Sequence, residues 1–188
     1  MDWGLVNRLL SAGSDPNASG DASSMTALMY AAYHGNAGIC EQLLSAGANS
    51  CTTGDDAMAA AHTVFCGWGA WGGGDDKETR IINVLKVLFD NNADTGALAD
   101  RVEMIGPDGQ SGWSAQSIVG IAAQHGFVHV VHYLKTIVGV VIKAAFHEAA
   151  WDRDTKAVKT FLAVGAQPSL IPAGAEFEFV NNVHQYAA

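Results

Sequence analysis

The chain has few of the residues that mark special chemistry. Its 188 residues include three cysteines, Cys40, Cys51 and Cys66, with no C-x-x-C pair and one necessarily left over in any disulfide scheme. That usage fits a reducing compartment and predicts an intracellular protein, in the cytoplasm or an organelle interior. Bases are scarce as well: ten Lys and Arg stand against 19 Asp and Glu, a formal charge of −9. Such a balance argues against nucleic acid, whose phosphates it repels. Long apolar runs are missing. The longest, Thr136 to Ile142, lies between Lys135 and Lys143 and falls far short of the ~20 residues that span a bilayer. The opening MDWGLVNRLL has no basic region ahead of an apolar one and does not read as a secretory signal. Yet the content is 49% hydrophobic and only 15% charged, which excludes a disordered tail and predicts a packed core.

What the chain does have is itself, several times over. Taking Thr26 to Asn49, TALMYAAYHGNAGICEQLLSAGAN, as a template, a shift of 34 back lays GLVNRLLSAGSD over its second half. Leu9, Leu10, Ala12 and Gly13 then repeat at Leu43, Leu44, Ala46 and Gly47. A shift of 91 forward reaches SIVGIAAQHGFVHVVHYL, and one of 118 reaches AAFHEAAWDRDTKAVKTFLAVGAQ. A weaker copy, DAMAAAH, begins 30 residues after Thr26. Each copy has one design: a short helix with an Ala-Ala pair that admits a close neighbour, a glycine-bearing turn, and a second helix with apolar residues at helical spacing. Each ends at a glycine or asparagine able to take the left-handed conformation that stops a helix. A lone hairpin of this size cannot bury its apolar face, so the copies must stack.

TALMYAA and AFHEAA, GFVHVVHYL and GNAGICEQLL, and the closing GAN, NAD and GAQ together resemble the ankyrin-repeat family. The resemblance implies an all-α solenoid of about four and a half helical hairpins. It sets a domain over 1–168, comprising a half repeat (1–20) and repeats at 21–51, 52–95, 96–138 and 139–168, with 169–188 as a capping or partner-binding tail. No copy has the proline of the family's T-P-L-H opening, and the fourth and fifth copies lie only 27 residues apart, so their connection must be short.

The third repeat is interrupted. Its inner helix is expected over Ala57 to Phe65 and its outer helix from Thr79, leaving an insertion over 66–78 that contains CGWGAWGGGDD. Trp68 and Trp71 either fold back over the stack or project as a binding anchor, since Trp is favoured at hot spots. The glycines do not make a phosphate loop: G-K-[ST] is missing, and Asp75 and Asp76 repel phosphate.

Catalytic and metal patterns are incomplete. His125, His129 and His132 are spaced for one helical face, but the repeat puts Gly126 at a turn and His125 on a separate helix. HEAAWD has Trp151 where a zinc ligand belongs, and GPDGQSG reads as a turn rather than a calcium loop. His147 falls at the family's T-P-L-H histidine, which the resemblance assigns to tidying backbone hydrogen bonds between repeats. The sequence therefore predicts no enzyme, no metal and no cofactor.

The resemblance implies a protein-interaction module whose concave face holds another protein. Family contact positions correspond to Tyr30 and Tyr33, Gln124, and Glu148, Trp151 and Asp152, joined by Trp68 and Trp71 of the insertion. Residues 1–76 hold eight acids against Arg8 alone, which favours a basic partner over a neutral one, beside the plainer reading of solubility. The alternative role is a permanent structural subunit of a larger multiprotein assembly.

Overall fold

The computed structural model describes residues 3–19, 24–53, 59–67, 76–95, 98–105, 111–140 and 142–167, without side chains at Trp3, 98–105, 111–116 and Trp151. The Trp68/Trp71 insertion and the tail from 168 lie outside the described residues. The chain divides into two compact units, Met1–Ala115 and Gln116–Ala188.

The first unit opens with α1 (Trp3–Ser11), followed by the hairpin α2 (Ala27–Tyr33) and α3 (Ala37–Ser45), then α4 (Ala60–Gly67) and α5 (Lys77–Asp90). Inner helix lies on inner helix, α2 against α4, and outer on outer, α1 against α3 and α3 against α5. Ala31 and Ala32 are almost wholly buried, so the small pair does bring backbones together. Helix α4 is buried on nearly every side, with only Cys66 exposed, which suits an inner helix between two neighbours. Helix α1 has α3 on one flank alone: Leu5 and Leu9 are 47% and 49% exposed, where their counterparts Ile39 and Leu43 are buried to 1–2%.

Each helix starts on a side chain that answers its free N–H groups. Thr26 Oγ1 accepts from Met29 N at 3.3 Å while Met29 Sδ accepts from Thr26 N at 3.5 Å. Asn36 caps α3, accepting from Ile39 N at 3.4 Å. Between repeats the closing loops form a ladder. The Asn17 amide donates to Gly47 O at 3.0 Å and accepts from Asn49 N at 2.7 Å, and one repeat further Ser50 Oγ donates to Asn91 O at 2.9 Å. Gly47 (φ +93°) and Asn92 (φ +63°) share the left-handed position that turns the chain out of the outer helix.

The third repeat corrects its expected register. Antiparallel bridges pair Ser19 with Thr26 and Thr53 with Ala59, so Ala59 and not Asp56 is the counterpart of Thr26. The shift is 33 residues rather than 30, and the inner helix runs Ala60–Gly67 instead of Ala57–Phe65. The outer helix likewise begins at Lys77, not Thr79, which narrows the gap between the two helices.

Two strands, β1 (Leu98–Ile105) and β2 (Ser111–Ser117), pair in a two-stranded sheet that the helical reading does not anticipate. Five residues join them, a connection short enough only for antiparallel pairing. The repeats themselves are helical, so the sheet is an elaboration of the connection into the fourth repeat.

The second unit holds α6 (Ile118–His125), α7 (Val128–Tyr133) continued by a π-helical turn at Leu134–Val138, α8 (Lys143–Trp151) and α9 (Thr155–Ala163). Helix α6 packs on α8 and α9, and α7 on α9. Its core centres on Phe146 and Phe161, whose rings meet edge-on at 5.7 Å. The π turn has a bookkeeping cause. Gly35 and Gly126 match at a shift of 91, but the left-handed glycines closing the outer helices, Gly47 and Gly139, differ by 92. One extra residue has entered this outer helix, and the wider turn absorbs it.

Phe161 is fully buried against Phe146, so Phe161→Ala should cost about 3–5 kcal/mol of unfolding free energy. The exposed Thr155→Ala should stay within about 0.5 kcal/mol. Urea denaturation with a single slope for both variants checks the difference.

Candidate functional site

The caps and Ala pairs fix how far each inner helix is rotated, and that rotation decides which side chains face outward. On α2 the residues Leu28, Met29, Ala31 and Ala32 point inward. Tyr30 is 38% exposed, the largest free surface on that helix among aromatic residues, and Tyr33 is half-buried with its ring edge-on to His34 at 5.3 Å and 83°. These two tyrosines therefore present apolar rings beside polar tips.

The corresponding positions on the other inner helices differ. In the register of Tyr30 stand Thr63, Ile121 and Glu148. Thr63 is buried, its hydroxyl donating to Met29 O at 3.2 Å and Ala60 O at 2.9 Å, so it ties α4 to α2. Ile121 is buried in the second unit, and Glu148 is half-buried. In the register of Tyr33 stand Cys66, Gln124 and Trp151. Gln124 is half-buried; Trp151 closes α8, and its side chain is not described. Asp152 is exposed in the turn after α8, and its carboxyl is raised from the ordinary value by partial burial and then by the charge of Asp154. Tyr30 and Tyr33 thus share a surface of the first unit, while Gln124, Glu148 and Asp152 belong to the second. Trp68 and Trp71 lie outside the described residues.

Cys66 is the residue that the sequence reading passes over. Its exposure in Tyr33's register was hidden by the three-residue error in the third copy; the bridge at Ala59 is the signal that reveals it. The three cysteines have separate surroundings. Cys40 is fully buried, and that burial pushes its thiol up to about 12. Cys66 is exposed as a residue, yet partial desolvation also raises its thiol. Cys51 is exposed, its thiol donating to Asn92 O at 3.4 Å.

The histidines do not converge. His125 ends α6 while His129 and His132 lie on α7, and among the described residues no group of three or more His, Cys, Asp and Glu is placed to hold a metal. The Nε2 of His147 is buried without a hydrogen-bond partner among the described residues, so that nitrogen does not tidy the backbone as expected. No helix among the described residues is long and apolar enough to cross a membrane.

A family model described as ankyrin repeats (3 copies) matches residues 2–64, over the capped hairpins described above. The chain contains ankyrin repeats. Solved structures extend the likeness in fold over nearly its whole length. The human ASB11 ankyrin repeat domain is similar at 15% identity and a TM-score of 0.62, over 98% of this chain and 80% of that one. A chain in the complex of the predatory endopeptidase Bd0816 from Bdellovibrio bacteriovorus with immunity protein Bd3460 is similar at 17% identity and 0.56, over 96% and 86%. No curated protein matches the chain. In ankyrin terms the inner-helix surface is uneven: aromatic and open on α2, closed on α4, polar on the helices of the second unit.

Native alkylation with iodoacetamide at pH 8 should modify Cys51 first and Cys66 more slowly, with Cys40 protected until the chain unfolds. Mass mapping of labelled peptides over time checks the order.

His125 is held below the ordinary imidazole value by burial and then by Lys156. The folded state thus binds fewer protons at this site than the unfolded one, and stability is fully present above the unfolded value near 6.5. It should fall as pH drops from there through the folded value. Lys156→Met should raise the His125 midpoint, read from its imidazole resonances by NMR titration.

Proposed function

We propose that this chain is a non-catalytic protein-interaction module that holds a partner protein through its inner-helix surfaces and loops. Ankyrin-repeat domains are generally modules of this kind, and a chain of similar fold occurs in a complex between two proteins. The observation that carries the reading is Tyr30. A large amphipathic ring stands 38% exposed on a helix whose neighbours are buried and whose start is capped, which is a rigid presentation of a hot-spot residue type. Tyr33 stands beside it, with Trp68 and Trp71 supplied by the loop of the next repeat. The second unit offers Gln124, Glu148, Trp151 and Asp152 as a more polar set. The partner is basic: residues 1–76 carry a formal −7, with Arg8 as their one cation.

A second role, a permanent subunit of a larger assembly, draws on Leu5, Leu9 and Ile137, which are 47%, 49% and 74% exposed. It requires that the purified chain be unstable or aggregate without its neighbours, whereas the module stays monomeric.

Quantitative capture from native extract separates these outcomes. Tyr30→Ala/Tyr33→Ala should weaken retention of the wild-type partner at least tenfold, at unchanged melting temperature. Trp68→Ala/Trp71→Ala should weaken it comparably if the loop is an anchor. A captured set that neither variant alters would remove the inner-helix reading.

A further inference from the structure

We infer that the groove between α1 and α3 is an arginine-binding subsite, taking a guanidinium from a partner protein on the outer-helix side of the first unit. The groove encloses about 590 Å³, open to solvent, and is lined by Asn7 from α1 and by Gly38, Glu41, Gln42 and Ser45 from α3. The α3 residues recur at three- and four-residue spacing, so one helical face supplies them. Gly38 has no side chain to fill the floor.

The chemistry of the lining is one-sided. Glu41 presents an exposed carboxylate. Beside it the Gln42 Oε1 is buried and accepts no hydrogen bond among the described residues, an arrangement that favours an incoming donor. Asn7 and Ser45 add further acceptor oxygens. The nearest cation does not answer them: Arg8 directs Nε to Gly4 O on its own helix at 3.3 Å. A guanidinium is the complementary group, because its planar fork carries five donors and one positive charge, able to reach a carboxylate and an amide oxygen together. A lysine ammonium matches the charge but not the fork.

The next repeat shows what a groove without this function contains. At the α5 positions equivalent to Glu41 and Gln42, 45 residues on, stand Lys86 and Val87, which remove the negative charge and the orphaned acceptor together. The set is therefore particular to the first groove rather than a by-product of stacking.

The test is NMR titration of the ¹⁵N-labelled full chain with N-acetyl-arginine methylamide at low salt. Saturable shifts at Gly38, Glu41, Ser45 and the Gln42 side-chain amide are expected, weakened at least tenfold by Glu41→Gln and by Gln42→Met. Tyr30→Ala/Tyr33→Ala should leave them unchanged, which separates this site from the inner-helix surface. Shifts that do not saturate, that N-acetyl-lysine methylamide reproduces at equal concentration, or that survive both substitutions would overturn the assignment. So would stronger binding of N-acetyl-aspartate, since the Gln42 amide would then be presenting its nitrogen.

Discussion

The close approach of inner helices through their alanine pairs is the contact on which the rest depends. Ala31 and Ala32 in the first unit, and Ala122 and Ala123 in the second, have essentially no exposed surface. Helices of seven to nine residues are too short to persist alone in water, so their stability comes from packing. Small side chains let backbones come near enough for the larger Leu28, Ile39, Leu43 and Val64 to interlock behind them. A larger residue at either alanine would push the helices apart and expose that layer. The caps and loop ladders follow from this constraint, because close-packed helix ends have no room for water to satisfy their free groups.

Where the chain departs from its repeat, it does so at positions that leave the alanine contacts intact. The extra residue of the fourth copy goes into the π turn at Leu134–Val138, beyond the part of α7 that holds Val130 and Val131 in the core. The insertion of the third copy falls between α4 and α5, after the buried run Ala60–Phe65 has ended. The strand pair precedes Ser117, whose hydroxyl accepts from Gly120 N at 3.2 Å and restarts the helical pattern. Additions collect at ends and turns because those places alone change length without moving a packed helix.

Much of the fold was legible because glycine, the alanine pair and the apolar spacing recur together at fixed shifts. Tyr30 and Tyr33 could be placed on an outward face from that pattern alone. The third copy misled for a local reason: Ala57, Ala59, Ala60 and Ala61 offer several places for an alanine pair, and none has a threonine ahead of it. A run of alanines carries no register. The bridge between Thr53 and Ala59 supplies it, and a pairing between loop residues leaves no periodic trace. The strands were missed because LADRVEMI alternates too weakly to outweigh a helical context. The groove on α3 was illegible for another reason, since its oxygens come from two repeats whose relation appears only on stacking.

An array whose every inner helix faced solvent equally would bind by summing many weak contacts, and this one does not. At the position of Tyr30 the successive copies place a half-open aromatic ring, a threonine spent on bonding α4 to α2, a buried isoleucine and a half-buried glutamate. The middle of the first unit is thus used for cohesion, and recognition there falls to α2 and to the loops beyond α4. Thr63 makes the trade explicit. Its hydroxyl reaches Met29 O, one residue before Tyr30, so the bond that closes α4 to a partner also holds the backbone beneath the exposed ring. Rigidity in one repeat is what lets its neighbour present an aromatic side chain without paying to order it on binding.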